Sequence, residues 1–188
     1  LFLSFVFLFD SRILNSFTQQ LYSTALLNSF TQQEQLAQTT INMLQRIDSI
    51  IERHLDLHQT LIEVAQVLHA EFEHFDWVGF YLDDQDKKGF LKLGPYVGPA
   101  TDHVSIPYGK GICGQVAVSL QTFVSRDVSA EDNYIACSTE VQSEIVVPIL
   151  KNGVFVAQID VDSNTKNSIT TEQTELLEAI CTKLSPLF

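Results

Sequence analysis

Cysteine, basic side chains and long apolar runs are the scarce ingredients of this 188-residue sequence. Its three cysteines, Cys113, Cys137 and Cys181, are an odd and sparse set. They do not suit a secreted disulfide framework, and with no CxxC pair they do not read as a structural zinc site; a reducing, cytoplasmic compartment fits them best. Basic residues number 11 against 23 acidic ones, a formal net charge of −12. That balance argues against nucleic acid as a partner, because phosphate recognition needs Lys and Arg clustered on one face. Leu1 to Phe9 is apolar except for Ser4, yet too short to span a bilayer. It shows no initiator Met, no basic residue before Arg12 and no clear small-residue cleavage site, so it reads as a fragment or mis-assigned start as readily as a signal remnant. No membrane association is expected.

What is present is enough for one core: 45% of the residues are hydrophobic, and the length suits a single domain with an appendage. The heptapeptide Leu-Asn-Ser-Phe-Thr-Gln-Gln occurs at Leu14–Gln20 and again at Leu27–Gln33. With only two copies, it reads as a local duplication and not as a repeat architecture. Residues 1–33 are therefore read as an extension, expected to be poorly packed or non-native, and residues 34–188 as the domain.

From Glu34 to Phe72 the apolar residues fall at helical spacing, Leu44, Ile47 and Ile51 and then Leu57, Leu61, Val64 and Leu68, which predicts two helices or one bent helix. Trp77–Leu82 and Phe90–Leu93 read as strands joined by a polar hairpin loop, His103–Pro107 as a further strand, and Gln115–Leu120 as a small-residue helix after a glycine-rich loop. Thr122–Ser125 returns to strand, and Arg126–Ser143 is an irregular connection. Glu144–Leu150 and Val154–Asp162, rich in Val and Ile and separated by Lys151-Asn-Gly, form an antiparallel pair. Thr171–Leu187 is a terminal helix. The fold class is α+β, an antiparallel sheet with the terminal helices on one side and a loop-covered ligand pocket on the other.

Several side chains in this frame could carry chemistry. Cys137 precedes Thr139-x-x-Gln142, a pattern that fits a capping box and would set the thiol before a helical turn, where backbone N–H groups favour the thiolate. The competing reading is a buried cysteine acting as a small hydrophobe. Asp160 and Asp162 alternate along a strand and leave one face together, toward a pocket or toward solvent. In a pocket they would bind an ammonium group, and their repulsion would raise a carboxyl pKa. Glu144 begins the neighbouring strand and could project beside them. Trp77 and Tyr81 are core or pocket wall. His103 has no second ligand at metal spacing, and no metal is expected. The glycines of Gly109-Lys-Gly-Ile-Cys-Gly114 read as turn residues and not as a phosphate loop.

Taken in order, Trp77-Val-Gly-Phe-Tyr81, Leu93-Gly-Pro-Tyr96, Ile106-Pro-Tyr-Gly-Lys-Gly-Ile-Cys-Gly114, Tyr134-Ile-Ala-Cys137, Ser143-Glu-Ile-Val-Val-Pro148 and Ile159-Asp-Val-Asp-Ser163 resemble the free methionine-(R)-sulfoxide reductases, which are single GAF domains. The resemblance runs from about Glu34 to the C-terminus. It implies thiol-dependent reduction of free methionine sulfoxide through a sulfenic acid on Cys137, a redox-active cysteine used against oxidative stress. It further implies Glu144 as the acid, Asp160 and Asp162 as ligands of the ammonium group, and Trp77 with Tyr81 as the apolar wall. No bound cofactor is implied, only an external thiol such as thioredoxin or glutathione, and pairing of terminal helices would give a homodimer.

The sequence departs from the family in one place. Members commonly carry a cysteine just before the Ile-Pro-Tyr/Phe-Gly segment, whereas Gly94–Ile112 has none and His103 stands near that point. Cys113 is then the internal candidate for resolving the sulfenic acid. The alternative is a non-catalytic GAF module that senses a small molecule.

Overall fold

In the computed structural model the described residues are 11–135 and 140–188, with side chains from Phe30 onward. They divide into two compact units at the Asn42/Met43 boundary. The described part of the first unit is helical and its side chains 30–38 are exposed. Helix α1 spans Ser11–Ile51, a stretch without Gly or Pro. It therefore starts well before the Glu34 expected from apolar spacing, with no helix-breaking residue in that stretch to stop it. It ends where His54 turns into the left-handed region at φ 51.

In the second unit, α2 (Leu57–Glu71) begins at Asp56, whose carboxylate accepts from the Gln59 N–H at 2.8 Å. Such a cap is worth about 1 kcal/mol. Six strands follow: β1 (Trp77–Asp83), β2 (Phe90–Val97), β3 (Ser105–Pro107), β4 (Phe123–Ser125), β5 (Ser143–Lys151) and β6 (Val154–Ser163), with α3 (Gly111–Ser119) between β3 and β4. Helix α4 (Thr171–Leu184) opens on a capping box between Thr170 and Gln173. It closes into a single 3-10 turn at Ser185–Leu187 around Pro186, which has no N–H to continue the α-helical ladder.

The strands form one antiparallel sheet in the order β3-β2-β1-β6-β5-β4. Period-two alternation splits it into two faces. Val78, Phe80, Ile145, Val147, Ile149, Ile159 and Val161 pack against Met43, Ile47, Leu61, Leu68, Leu177 and Ile180 of the three long helices. The opposite face gathers Trp77, Tyr81, Val146 and Phe155 beneath Ile112, Cys113 and Val116 of α3. This is the α+β arrangement expected, with the helices on one side and loops over the other.

Some boundaries move, and β2 runs to Val97, four residues past the expected Leu93. His103 lies outside β3, which begins at Ser105; its carbonyl instead accepts from the Tyr81 hydroxyl at 3.0 Å. Helix α3 starts at Gly111, four residues before the expected Gln115, so two glycines that read as loop residues are helical. Gly114 is needed there because a Cβ would fall 2.5 Å from the Pro107 carbonyl oxygen.

Candidate functional site

The register of the central strands assembles the site. Trp77 on β1 lies opposite Asp162 on β6, and Asp162 lies opposite Glu144 on β5, which lies opposite Ser125 on β4. The next row on the same face runs Gly79, Asp160, Val146, Phe123. Glu144, Asp160 and Asp162 therefore leave the sheet together on the face away from the long helices, and all three are buried, with 4%, 1% and 2% of their surface exposed. The amphipathic-surface reading of these aspartates is excluded by that burial.

From the roof, Cys113 in the first turn of α3 donates its thiol to Asp160 Oδ2 at 3.2 Å. One ligating atom from each of Cys113, Glu144 and Asp160 falls within 4.8 Å of the others. At an effective dielectric of about 20, two charges this close repel by about 3.5 kcal/mol. None of the ion pairs among the described residues reaches the cluster. The carboxyls respond as electrostatics requires. Burial, and then the charges of Asp160, Asp162 and Glu131, push the Glu144 carboxyl well above its ordinary value. Burial raises Asp162, helped by Asp160 and Asp76. Burial raises Asp160 to about 7, against the lowering effect of the Cys113 hydrogen bond. The cluster therefore holds protons near neutrality and attracts a cation.

Unsatisfied groups surround it. Among the described residues, Trp77 Nε1, Asp160 Oδ1, Asp162 Oδ1 and both amide atoms of Gln158 are buried without hydrogen-bond partners. Buried polar atoms are nearly always hydrogen-bonded, so a concentration of such atoms is a functional-site signal. Trp77 stacks on Tyr96 at 5.2 Å between ring centroids and on Tyr81 at 6.3 Å. Gly79 makes room for the indole: a Cβ there would sit 2.2 Å from its Cη2. One cavity of about 40 Å³ lies beside Trp77 and Asp162, rimmed by Asp76 and Thr101, and another of about 10 Å³ opens at Cys113 and Glu144. A larger groove of about 500 Å³ between α4 and β5 lies elsewhere, lined in part by Thr122, Val147 and Cys181. Several of its polar groups are already engaged, Thr122 donating to Glu178 Oε1 at 2.6 Å and Ser185 to the Leu150 carbonyl at 2.7 Å. Burial holds the Cys181 thiol protonated, so the groove lacks reactive chemistry.

Of the residues expected to act, Trp77, Tyr81, Cys113, Glu144, Asp160 and Asp162 share this face and its α3 roof. Cys137, with Thr139 of the expected capping box, lies outside the described residues. Gln142, at the other end of that pattern, donates its N–H to the Ser163 carbonyl at 2.8 Å, next to the β5–β6 ladder. Among the described thiols, Cys113 sits in the first turn of a helix. Sequence reasoning missed Gln158, which extends the Asp160 and Asp162 alternation by one step, and Asp76, next to Trp77, whose carboxylate accepts from the Asn164 N–H at 2.7 Å.

An antiparallel sheet with helices on one face and a buried, acidic, thiol-bearing pocket on the other defines the class, a single α+β domain with its candidate site on the face away from the long helices. The GAF domain model matches residues 56–185. The chain is 34% identical over 126 residues to Protein YtsP of Bacillus subtilis (strain 168), covering 66% of this chain and 76% of that protein. It is 32% identical over 125 residues to the free methionine-R-sulfoxide reductase of Escherichia coli (strain K12), covering 66% of this chain and 73% of that one. The structure of free methionine-R-sulfoxide reductase from Neisseria meningitidis in complex with its substrate superimposes with a TM-score of 0.75 at 34% identity, over 79% of this chain and 87% of that chain. The chain belongs to the GAF-domain free methionine-R-sulfoxide reductase family.

Proposed function

We propose that this protein is an oxidoreductase that reduces free L-methionine (R)-S-oxide to L-methionine at the expense of an external thiol. The observation that carries the reading is the buried group of Glu144, Asp160 and Asp162, protonated in part near neutrality and, among the described residues, without a basic side chain paired to it. Such a group can both hold an ammonium and supply a proton, and sulfoxide reduction requires both. The Asp160 and Asp162 carboxylates take the substrate ammonium, and Trp77 with Tyr81 provides the apolar wall for its methyl group.

Cys137, placed in this role by its sequence context, is the nucleophile. Its sulfur bonds to the sulfoxide sulfur while the Glu144 proton passes to the oxygen. The oxygen is transferred to Cys137 as methionine departs, leaving a cysteine sulfenic acid and a substrate sulfur richer by two electrons. A second thiol attacks the sulfenic sulfur, water leaves, and the resulting disulfide is returned to thiols by glutathione or a dithiol such as thioredoxin. The net change is sulfoxide plus two thiols to methionine, disulfide and water. Cys113 is the internal candidate for that second thiol, and a reducing cytoplasm is the setting that would sustain the cycle. Among the described residues no helix is long and apolar enough to cross a membrane.

A second reading, a GAF module that binds a small molecule without turnover, is favoured by one observation, the lack of any cysteine from Gly94 to Ile112. Loss of free methionine-(R)-sulfoxide with a dithiol reductant separates the two. Wild type should turn over, Cys137→Ser should not, and Glu144→Gln should fall by about 10²- to 10⁴-fold. Absence of turnover by wild type, with methionine sulfoxide still bound, would establish the binding module.

A further inference from the structure

We propose that Cys113, Glu144 and Asp160 form a binding site for a thiophilic divalent cation of the zinc type. Zinc prefers sulfur, nitrogen and carboxylate oxygen in a tetrahedron, and sites with three protein ligands leave the fourth position to water or a ligand. The donor set here is one thiol and two carboxylates from three different elements, α3, β5 and β6. Zinc–sulfur and zinc–oxygen bonds of about 2.3 and 2.1 Å put tetrahedral ligand atoms about 3.6 Å apart. The Cys113 Sγ to Asp160 Oδ2 separation is already 3.2 Å, and the three donor atoms lie within 4.8 Å. Adjustments of about 1 Å or less, within the reach of side-chain rotation, would complete the geometry.

A second observation points the same way. Asp162 stands directly opposite Glu144 in the β5–β6 ladder, on the same face, with 2% of its surface exposed and its Oδ1 lacking a hydrogen-bond partner. A buried carboxylate left without a partner asks for a cation beside it. On binding, the Cys113 thiol loses its proton to solvent and the Sγ–Asp160 hydrogen bond is replaced by two bonds to the ion. The same carboxylates cannot then serve an ammonium group, so the ion and an amino-acid ligand exclude one another. Binding itself is read without turnover, so this proposal and the reductase reading can fail separately.

The test uses the full chain, reduced with a phosphine so that no added thiol competes. Zinc affinity is measured by competition with a chromogenic chelator, and the ligand set by X-ray absorption at the zinc edge and the charge-transfer spectrum of the cobalt-loaded protein. One ion per chain is expected, with sulfur and oxygen ligation. Cys113→Ser and Glu144→Gln should each weaken binding at least about 10-fold, since even outer-shell partners are commonly worth that much. Cys181→Ser, on the opposite side of the sheet, should leave it unchanged. The wild-type absorption spectrum decides the matter even if a variant fails to fold. No binding, ligation without sulfur, or affinity indifferent to Cys113→Ser or to Glu144→Gln would overturn the proposal.

Discussion

Replacing Asp160 by Asn tests whether the pocket acids are held against their preference for ionisation. Burial pushes the Asp160 carboxyl up to about 7 in the folded protein, from its ordinary 3.8. A folded pKa above the unfolded one means the native state binds the extra proton, so the contribution is fully present below about pH 4 and is lost as pH rises through about 7. At about 1.36 kcal/mol per pH unit inside that window, the gap of roughly three units corresponds to about 4 kcal/mol. The sequence pI is about 4.6, so unfolding is best compared at about pH 5.5 and about pH 8.5, clear of precipitation. Between those points wild type should lose about 2 kcal/mol through Asp160 alone, a loss the Asn variant does not share. The amide oxygen can still accept the Cys113 thiol, so the variant should be near wild type at the lower pH and more stable at the higher. Urea unfolding followed by the emission of Trp77, the only tryptophan, reads both. Parallel pH dependences for the two proteins would refute the claim that burial strains this carboxyl.

Two further outcomes follow from packing. Gly79→Ala should destabilise the domain by about 1–3 kcal/mol and shift the Trp77 emission, because the added Cβ would meet the indole at 2.2 Å and Tyr96 Cβ at 2.6 Å. Urea titration checks the first and the emission maximum the second; wild-type values for both would mean that Trp77 has room to move. A chain beginning at Glu34 should keep its unfolding free energy within about 0.5 kcal/mol, since the buried residues of the second unit begin at Met43. A markedly lower value would make residues 1–33 part of the folding unit.

How much of this was legible depended on the range of the interaction. The β5–β6 hairpin could be read because Asn152-Gly153 takes two positive φ angles, 54 and 78, the geometry of a tight primed turn. The shared face of Asp160 and Asp162 follows from alternation alone. Which side that face looks to does not, because burial is decided by elements that are distant in the sequence. The contact of Cys113 with Asp160 spans 47 residues, and nothing local to either residue announces it. Helix α3 was misplaced for a related reason. Gly111 and Gly114 look like loop residues by propensity, and only the approach of Gly114 to Pro107 explains why a helix must carry a glycine there. Gln158 was overlooked because one amide in an apolar strand reads as an ordinary polar position until its burial is known.

The same register that folds the sheet also builds the pocket, and a single extra residue makes the difference. From the turn, Lys151 pairs with Val154 and Leu150 with Phe155, but Ile149 pairs with Ala157, so Val156 is the extra residue of a β-bulge. Had the ladder continued without it, each later β5 residue would face a partner one position earlier on β6, and Glu144 would oppose Val161 in place of Asp162. A slip of one residue exchanges the two faces of a strand. Keeping β6 packed on the helices would then turn Glu144 into that core, and keeping β5 so packed would turn in Asp160 and Asp162. Either outcome buries charge among Leu61, Leu177 and Ile180 without the company of the other acids, at a cost of several kcal/mol per carboxylate. With the bulge, Ile145, Val147, Ile149, Ile159 and Val161 face the helices while the three acids share the face roofed by Cys113. The bulge therefore serves stability and chemistry at once, as bulges near functional sites often do.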